Sequence, residues 1–224
     1  MSILKKFPPL RLREKCAESL RSIFIQYLRL TRRDIDYFYD ESFATSSWQN
    51  KSWGDDFCEL VLKTFHPQSV IDFGCGTADL LHSFEKKGLE ILGIDGSRAN
   101  YNHCYIKKEN FLLFDIRNKL TGKKKFDLCI SLEVAEHIEE KYSRILISNL
   151  VQHSSVVLFT AAPPGQVGPD HINLQPYEWW IKRFEAVNFR LDTIVTEHLK
   201  QEMVKIPGVQ NYYIRNLFVF KLNL

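Results

Sequence analysis

The segment SVIDFGCGTADLL (69–81) has the residue types of a ligand loop: β-favouring residues run into Asp72, then Gly74 and Gly76, then a helix-like stretch. Glycine permits close backbone approach and helix amides favour electron-rich groups, so this strand, turn and helix start suit a nucleotide-like ligand. A dinucleotide loop would need a third glycine where this chain has Asp79, and a carboxylate there would repel a pyrophosphate. Asp72, at the end of the strand, is equally wrong for phosphate but suits a cationic or amine-bearing ligand. No Gly-Lys-Ser/Thr follows, which excludes a Walker loop. Asp72 and Asp79 could also simply cap the following helix.

The elements that must position this loop can be read around it. The 224 residues suit one domain with a modest extension, and a composition of 45% hydrophobic and 25% charged residues suffices for a full core. A net charge of +3 is too small to imply nucleic acid, but it is unevenly spread. Residues 1–33 hold nine Lys/Arg against two acids, and residues 34–60 hold one against seven. Five scattered cysteines without a Cys-x-x-Cys pair argue against a disulfide framework or zinc ribbon and fit a reducing cytosol. No apolar run has signal-peptide or membrane-span character.

Residues 10–33 place Leu12, Cys16, Leu20, Ile23, Tyr27 and Leu30 at helical spacing opposite a basic face. The reading is a helix packed on the domain or on a partner subunit, with a membrane-surface or RNA-binding helix as the sharper alternative. A helix is predicted over 55–65. Strand-length apolar runs then follow at 69–73, 90–95, 111–115, 126–131 and 155–160, with helices at 77–87, 98–104 and 138–152 between them. This alternation implies a parallel sheet covered on both faces. A long loop (161–175) leads into a helix from Pro176. Two last strands, 189–197 and 211–222, are expected to pair as an antiparallel edge hairpin across an irregular linker.

VIDFGCGTADL resembles the first signature of class I S-adenosylmethionine (SAM)-dependent methyltransferases, and further signatures follow in order. They are GIDGS (93–97), LFDI (113–116) and FDLCISLEVAEHI (126–138), within a resemblance covering about residues 40–222. It implies an α/β, Rossmann-like sheet of seven strands in the order 3-2-1-4-5-7-6, the last antiparallel, with helices on both faces and an N-terminal helical extension. It also implies SAM as cofactor and S-adenosylhomocysteine as product. Asp72, Gly74, Cys75, Gly76 and Gly96 would line the cofactor, and Asp95 would accept from the ribose hydroxyls. Asp115 would accept from the adenine amino group while Ile116 covers the ring. Leu132 and Glu133 would face the methyl-donor side. Residues 1–50 form the expected helical cap or lid, with Tyr39 covering SAM, and residues 51–224 the methyltransferase domain.

Methyl transfer to a hydroxyl requires alignment, water exclusion and removal of one proton. His137, His171 and Asp170 lie in segments after the fourth and fifth strands, and histidine is the natural base near neutral pH. DHINLQPYEWW resembles a bacterial subgroup acting on glycans and small natural products, which implies that Asn173, Gln175 and Trp179 face the acceptor. The expected activity is O-methylation of a small-molecule hydroxyl in the cytosol, with no metal, no membrane span and no nucleic-acid partner; the basic helix caps the site or forms a homodimer contact. Glu133, Glu136, His137 and His171 also resemble the ligand set of metal-assisted RNA 2′-O-methyltransferases. A third reading is a catalytically silent SAM-binding subunit.

Overall fold

The computed structural model describes residues 10–46, 51–122 and 124–223, with side chains from residue 18 onward. Leu12 and Cys16 therefore lie outside the described side chains, and the expected boundary at 50/51 falls beside undescribed residues 47–50.

Seven strands form one sheet in the order β3-β2-β1-β4-β5-β7-β6. They are β1 (Ser69–Phe73), β2 (Glu90–Asp95), β3 (Phe111–Leu113), β4 (Leu128–Leu132), β5 (Val156–Thr160), β6 (Phe189–Leu191) and β7 (Phe218–Leu222). The first five run parallel, and β7 lies antiparallel between β5 and β6. The expected order and the odd last strand are both present.

Strand periodicity sorts the core into two layers. Val70, Leu128, Ile130, Leu158 and Val219 pack with α4 (Gly54–Phe65), α5 (Asp79–Lys86) and α9 (Thr193–Met203). Ile71, Phe73, Cys129, Val157, Phe159 and Phe220 pack on the other face with α7 (Ser143–His153) and α8 (Tyr177–Glu185). Phe184 stacks on Phe220 with ring centroids 3.9 Å apart, and Trp180 is fully buried beside Phe159.

The C-terminal segment differs from the expected hairpin. Only Phe189–Leu191 is strand, because the Asp192 side chain accepts from Val195 N at 3.0 Å and starts α9 where the β-branched TIV run suggested more strand. The presumed linker holds α9, and α10 (Asn211–Arg215) precedes β7. β6 and β7 do pair, but through a helical crossover. Similarly, α7 starts at Ser143 rather than 138, because Ala135–His137 and Glu140–Tyr142 form single 3-10 turns.

At the N-terminus, α1 (Leu10–Leu30), α2 (Asp34–Phe38) and α3 (Glu41–Ala44) precede the sheet. α6 (Arg98–Asn102) follows β2, and Ser97 caps it by accepting from Asn100 N.

Candidate active site

Strand order reverses between β1 and β4, so their C-terminal ends diverge into a crevice. A cavity of about 390 Å³ lies there. Its floor is the glycine loop. Gly74 and Gly76 adopt φ of +81° and +59°, and the amides of Gly74 and Cys75 donate to Ile94 O at 2.7 and 3.2 Å. A Cβ on Gly74 would meet Val134 Cγ2 at 2.5 Å, so glycine is needed for both dihedral and space. Ala78 also takes a left-handed φ, +58°, on entering α5.

Three acids surround the loop in three different environments. Asp95 lines the cavity and accepts from Gly76 N at 3.0 Å, Ser97 N at 2.8 Å and Asn100 Nδ2 at 3.1 Å, while burial raises its pKa. Asp72 is buried, and desolvation pushes its carboxyl up to about 7 against the opposing charge of Lys51. Asp79 begins α5 and accepts from Lys51 N at 2.6 Å, which ties the segment before α4 to the loop. Cys75 lines the cavity, and burial raises its thiol pKa well above the ordinary value, so it is no thiolate nucleophile.

Asp115 lines the cavity and is engaged by two arginines. Its Oδ1 accepts from Arg117 N and Nε at 3.0 and 2.9 Å, and its Oδ2 accepts from Arg32 at 3.1 Å. Arg117, itself buried, turns its other face to Asp34 at 2.7 and 3.1 Å. This four-residue network fastens α2 to the loop after β3. Ile116, Gly96 and Leu132 line the cavity as expected positions along the strand ends. A Cβ on Gly96 would come within 2.8 Å of Ile35 Cδ1, so α2 packs directly over that glycine.

At the other end of the cavity the long loop folds back on the EVAEH segment. Glu136 O accepts from both Ile172 N and Asn173 N at 2.9 Å. His137 Nδ1 lies 3.1 Å from Asp170 O, and His171 Nδ1 lies 3.0 Å from Gln166 O. A carbonyl only accepts, so each Nδ1 carries a proton and Nε2 is the ring nitrogen that these two bonds leave unengaged. The two rings meet edge-on with centroids 5.0 Å apart. Desolvation, reinforced by His171, lowers the His137 pKa to about 4, so it is neutral at pH 7.

Beside them the Glu136 carboxylate is buried, and both oxygens lack hydrogen-bond partners. Burial, then the charge of Glu133, raises its pKa well above the usual range. Among the described residues, Glu136, His137 and His171 bring one potential ligand atom each within 4.8 Å of one another. The Tyr39 hydroxyl is also buried without a partner, and its ring packs edge-on to His137 at 6.0 Å.

Other expected residues take different places. The Asp170 carboxylate pairs with Arg29 at 2.5 Å, so its backbone carbonyl, not its side chain, orients a histidine, and that histidine is His137. Glu133, at φ +55°, is held by Gln166 Nε2 at 2.8 Å and Asn216 Nδ2 at 3.0 Å. Asn173, Gln175 and Trp179 lie outside the lining of this cavity. Asn173 is buried and donates to Ala135 O and Ser143 Oγ, both at 3.3 Å, while Gln175 donates to Asn173 Oδ1 at 2.9 Å. Asn173 staples the loop to the Ala135 carbonyl of the 3-10 turn, and Gln175 holds the Asn173 amide in place. Trp179 carries the Arg183 guanidinium over its ring and packs against Trp180.

Sequence reading missed Asp34, Arg117, Gln166 and Asn216. Arg117 follows Asp115 at a spacing that invites an ion pair; the others carry no local signal.

The chain matches the family described as methyltransferase domain over residues 46–164. It is 33% identical over 76 residues to the ubiquinone biosynthesis O-methyltransferase of Rhodopseudomonas palustris (strain BisA53), covering 32% of this chain and 30% of that protein. The namesake from Pelagibacter ubique (strain HTCC1062) is 29% identical over 97 residues, 41% of this chain and 40% of that protein. The match thus spans well under half the length of these relatives. Among solved structures, the plantazolicin methyltransferase BpumL, in complex with a pentazolic desmethylPZN analog and SAH, aligns with TM-score 0.54 at 18% identity, over 87% of this chain and 91% of that one. The methyltransferase domain of bacterial CtHen1 aligns with TM-score 0.51 at 18% identity, over 75% of this chain and 97% of that one.

Proposed function

Because the chain belongs to the methyltransferase-domain family, we propose that it transfers a methyl group to a hydroxyl oxygen of a small-molecule acceptor, with the His137/His171 pair managing the acceptor proton. It is a SAM-dependent methyltransferase, and the cavity residues fit that cofactor. Gly74 and Gly76 bring bare backbone to the cavity, and Asp95 is fixed at the end of β2, where a ribose would be recognised. When bound, SAM supplies a methyl group activated by a sulfonium and leaves as neutral S-adenosylhomocysteine.

The observation that carries the reading is the shared tautomer of the two histidines. Each is held through Nδ1 by a loop carbonyl, which leaves Nε2 of each ring unengaged by those bonds, with the buried Glu136 carboxyl beside them. His137 has too low a basicity to hold a proton at pH 7 on its own. The acceptor loses its proton to nitrogen as its oxygen forms the new bond to carbon. Tyr39 and the folded-back loop wall this end. The N-terminal segment up to residue 50 acts as the cap over the cofactor, supported by the Asp34–Arg117 pair and the contact of Ile35 with Gly96.

A second reading has its own support. A carboxylate and two Nε2 atoms are also a divalent-cation ligand set, and the lack of partners on Glu136 favours one. Such an ion would polarise the acceptor hydroxyl.

The test is label transfer from methyl-labelled SAM to panels of phenolic and sugar hydroxyl acceptors, run with His137→Ala and His171→Ala. Calorimetry with SAM runs in parallel. Unaltered label transfer in both variants would sink the histidine assignment; SAM binding with no transfer to any acceptor would favour the silent-subunit alternative.

A further inference from the structure

The apolar stripe of α1 does not do what its periodicity suggests. Among the described side chains of the helix, Leu28 is buried, Ile25 half-buried and Arg29 paired with Asp170, while Leu20 is 68% exposed, Ile23 62% and Leu30 82%. Phe24 and Tyr27 are exposed as well. At 100° per residue, Leu20, Ile23, Tyr27 and Leu30 fall on one face, and that face points away from the sheet. The stripe is therefore presented to something outside the chain.

We propose that this face is a peripheral docking surface for an anionic lipid bilayer. Charge supports that occupant. Residues 10–33 contain seven Lys/Arg and two acids, and of the described basic side chains there Arg29 and Arg32 are paired with Asp170 and Asp115. An amphipathic helix with an apolar face and cationic flanks is the form that lies in a membrane interface, its cations drawn to anionic headgroups. Among the described residues no helix is long and apolar enough to cross a membrane, so the attachment is to the surface.

Size argues against a second copy as the occupant. A stripe along a 21-residue helix is roughly 30 Å by ~10 Å, on the order of 300 Å², whereas a stable interface needs ~800 Å² per partner. Geometry ties the same surface to the active site. Leu30 and Ile172 line one shallow groove, Arg29 grips Asp170, and Val167 of the same loop is 98% exposed at the cavity rim. A bilayer beneath α1 would therefore lie against the loop that carries His171.

The experiment is co-sedimentation of the full chain with vesicles of phosphatidylcholine alone and of phosphatidylcholine with about one third phosphatidylglycerol. The expected result is binding to the anionic vesicles only, weakened by raising NaCl to about 0.5 M. Leu20→Asp/Ile23→Asp should lower the partition coefficient at least tenfold with unchanged thermal unfolding, since both side chains are exposed. Arg21→Glu/Arg33→Glu should lower it several-fold, and more at low salt. Absence of binding to anionic vesicles overturns the proposal, as does full binding by Leu20→Asp/Ile23→Asp. A wild-type dimer in sedimentation velocity that this double variant dissolves would assign the face to a second copy and also overturn it. SAM affinity, measured on the same samples, reports on the methyltransferase reading separately.

Discussion

His137 Nδ1 lies 3.1 Å from the backbone carbonyl of Asp170, a residue 33 positions later that itself sits at φ +53°. This contact makes Asp170 a determinant of which His137 nitrogen faces the cavity, independently of its carboxylate. Asp170→Asn should therefore keep most of the activity, whereas Asp170→Gly, which loosens the backbone, should lower kcat more than it lowers SAM affinity. Turnover and calorimetry on the two variants test this.

Removing either imidazole removes proton transfer while sparing the cofactor end. His137→Ala and His171→Ala should each reduce kcat about 10²–10⁴-fold, the range of general-base catalysis, with SAM affinity within a few-fold of wild type. A chelator separates the two mechanisms. With histidine alone as base, EDTA leaves turnover unchanged; a loss of activity restored by one divalent metal assigns Glu136, His137 and His171 as its ligands.

The Asp72 carboxyl has a folded pKa of about 7, above its unfolded value near 4. The folded state then binds the extra proton between those values, so Asp72's contribution to stability falls as pH rises from about 4 to about 7. Asp72→Asn should raise the Tm relative to wild type at pH 8 and have little effect at pH 4. Thermal unfolding at the two values checks the sign.

Gly74→Ala forces a Cβ against Val134 at an unfavourable φ. The expected cost is about 1–3 kcal/mol of stability together with a clear loss of SAM affinity, read by thermal unfolding and calorimetry.

Arg117 and Asp34 form a buried pair, and truncating one partner strands the other. Arg117→Ala should destabilise by about 3 kcal/mol, and Asp34→Asn/Arg117→Met should recover part of that in a double-mutant cycle.

Much of this was legible locally. Apolar runs bounded by Gly and Asp gave β1 and β2 to the residue, because a buried parallel strand needs an unbroken apolar stretch and a turn to end it. The Gly74–Gly76 turn was legible for the same reason: few residues tolerate those dihedrals. Asp192 was the local clue overlooked at the C-terminus, where β-branched residues 193–196 looked like strand and a helix cap decided otherwise.

What the sequence by itself determined is the strand–loop–helix frame and the ligand loop, since both depend on neighbours within a few residues. Only the tertiary structure decided which side chains meet. Asp115 is engaged by Arg32 from 83 positions away, Asn173 bonds the 3-10 turn after β4, and the described part of the α1 stripe faces outward. Hydrogen-bond partners and burial are set by distance in space. Periodicity shows that a helix has an apolar face but carries no information about what that face meets.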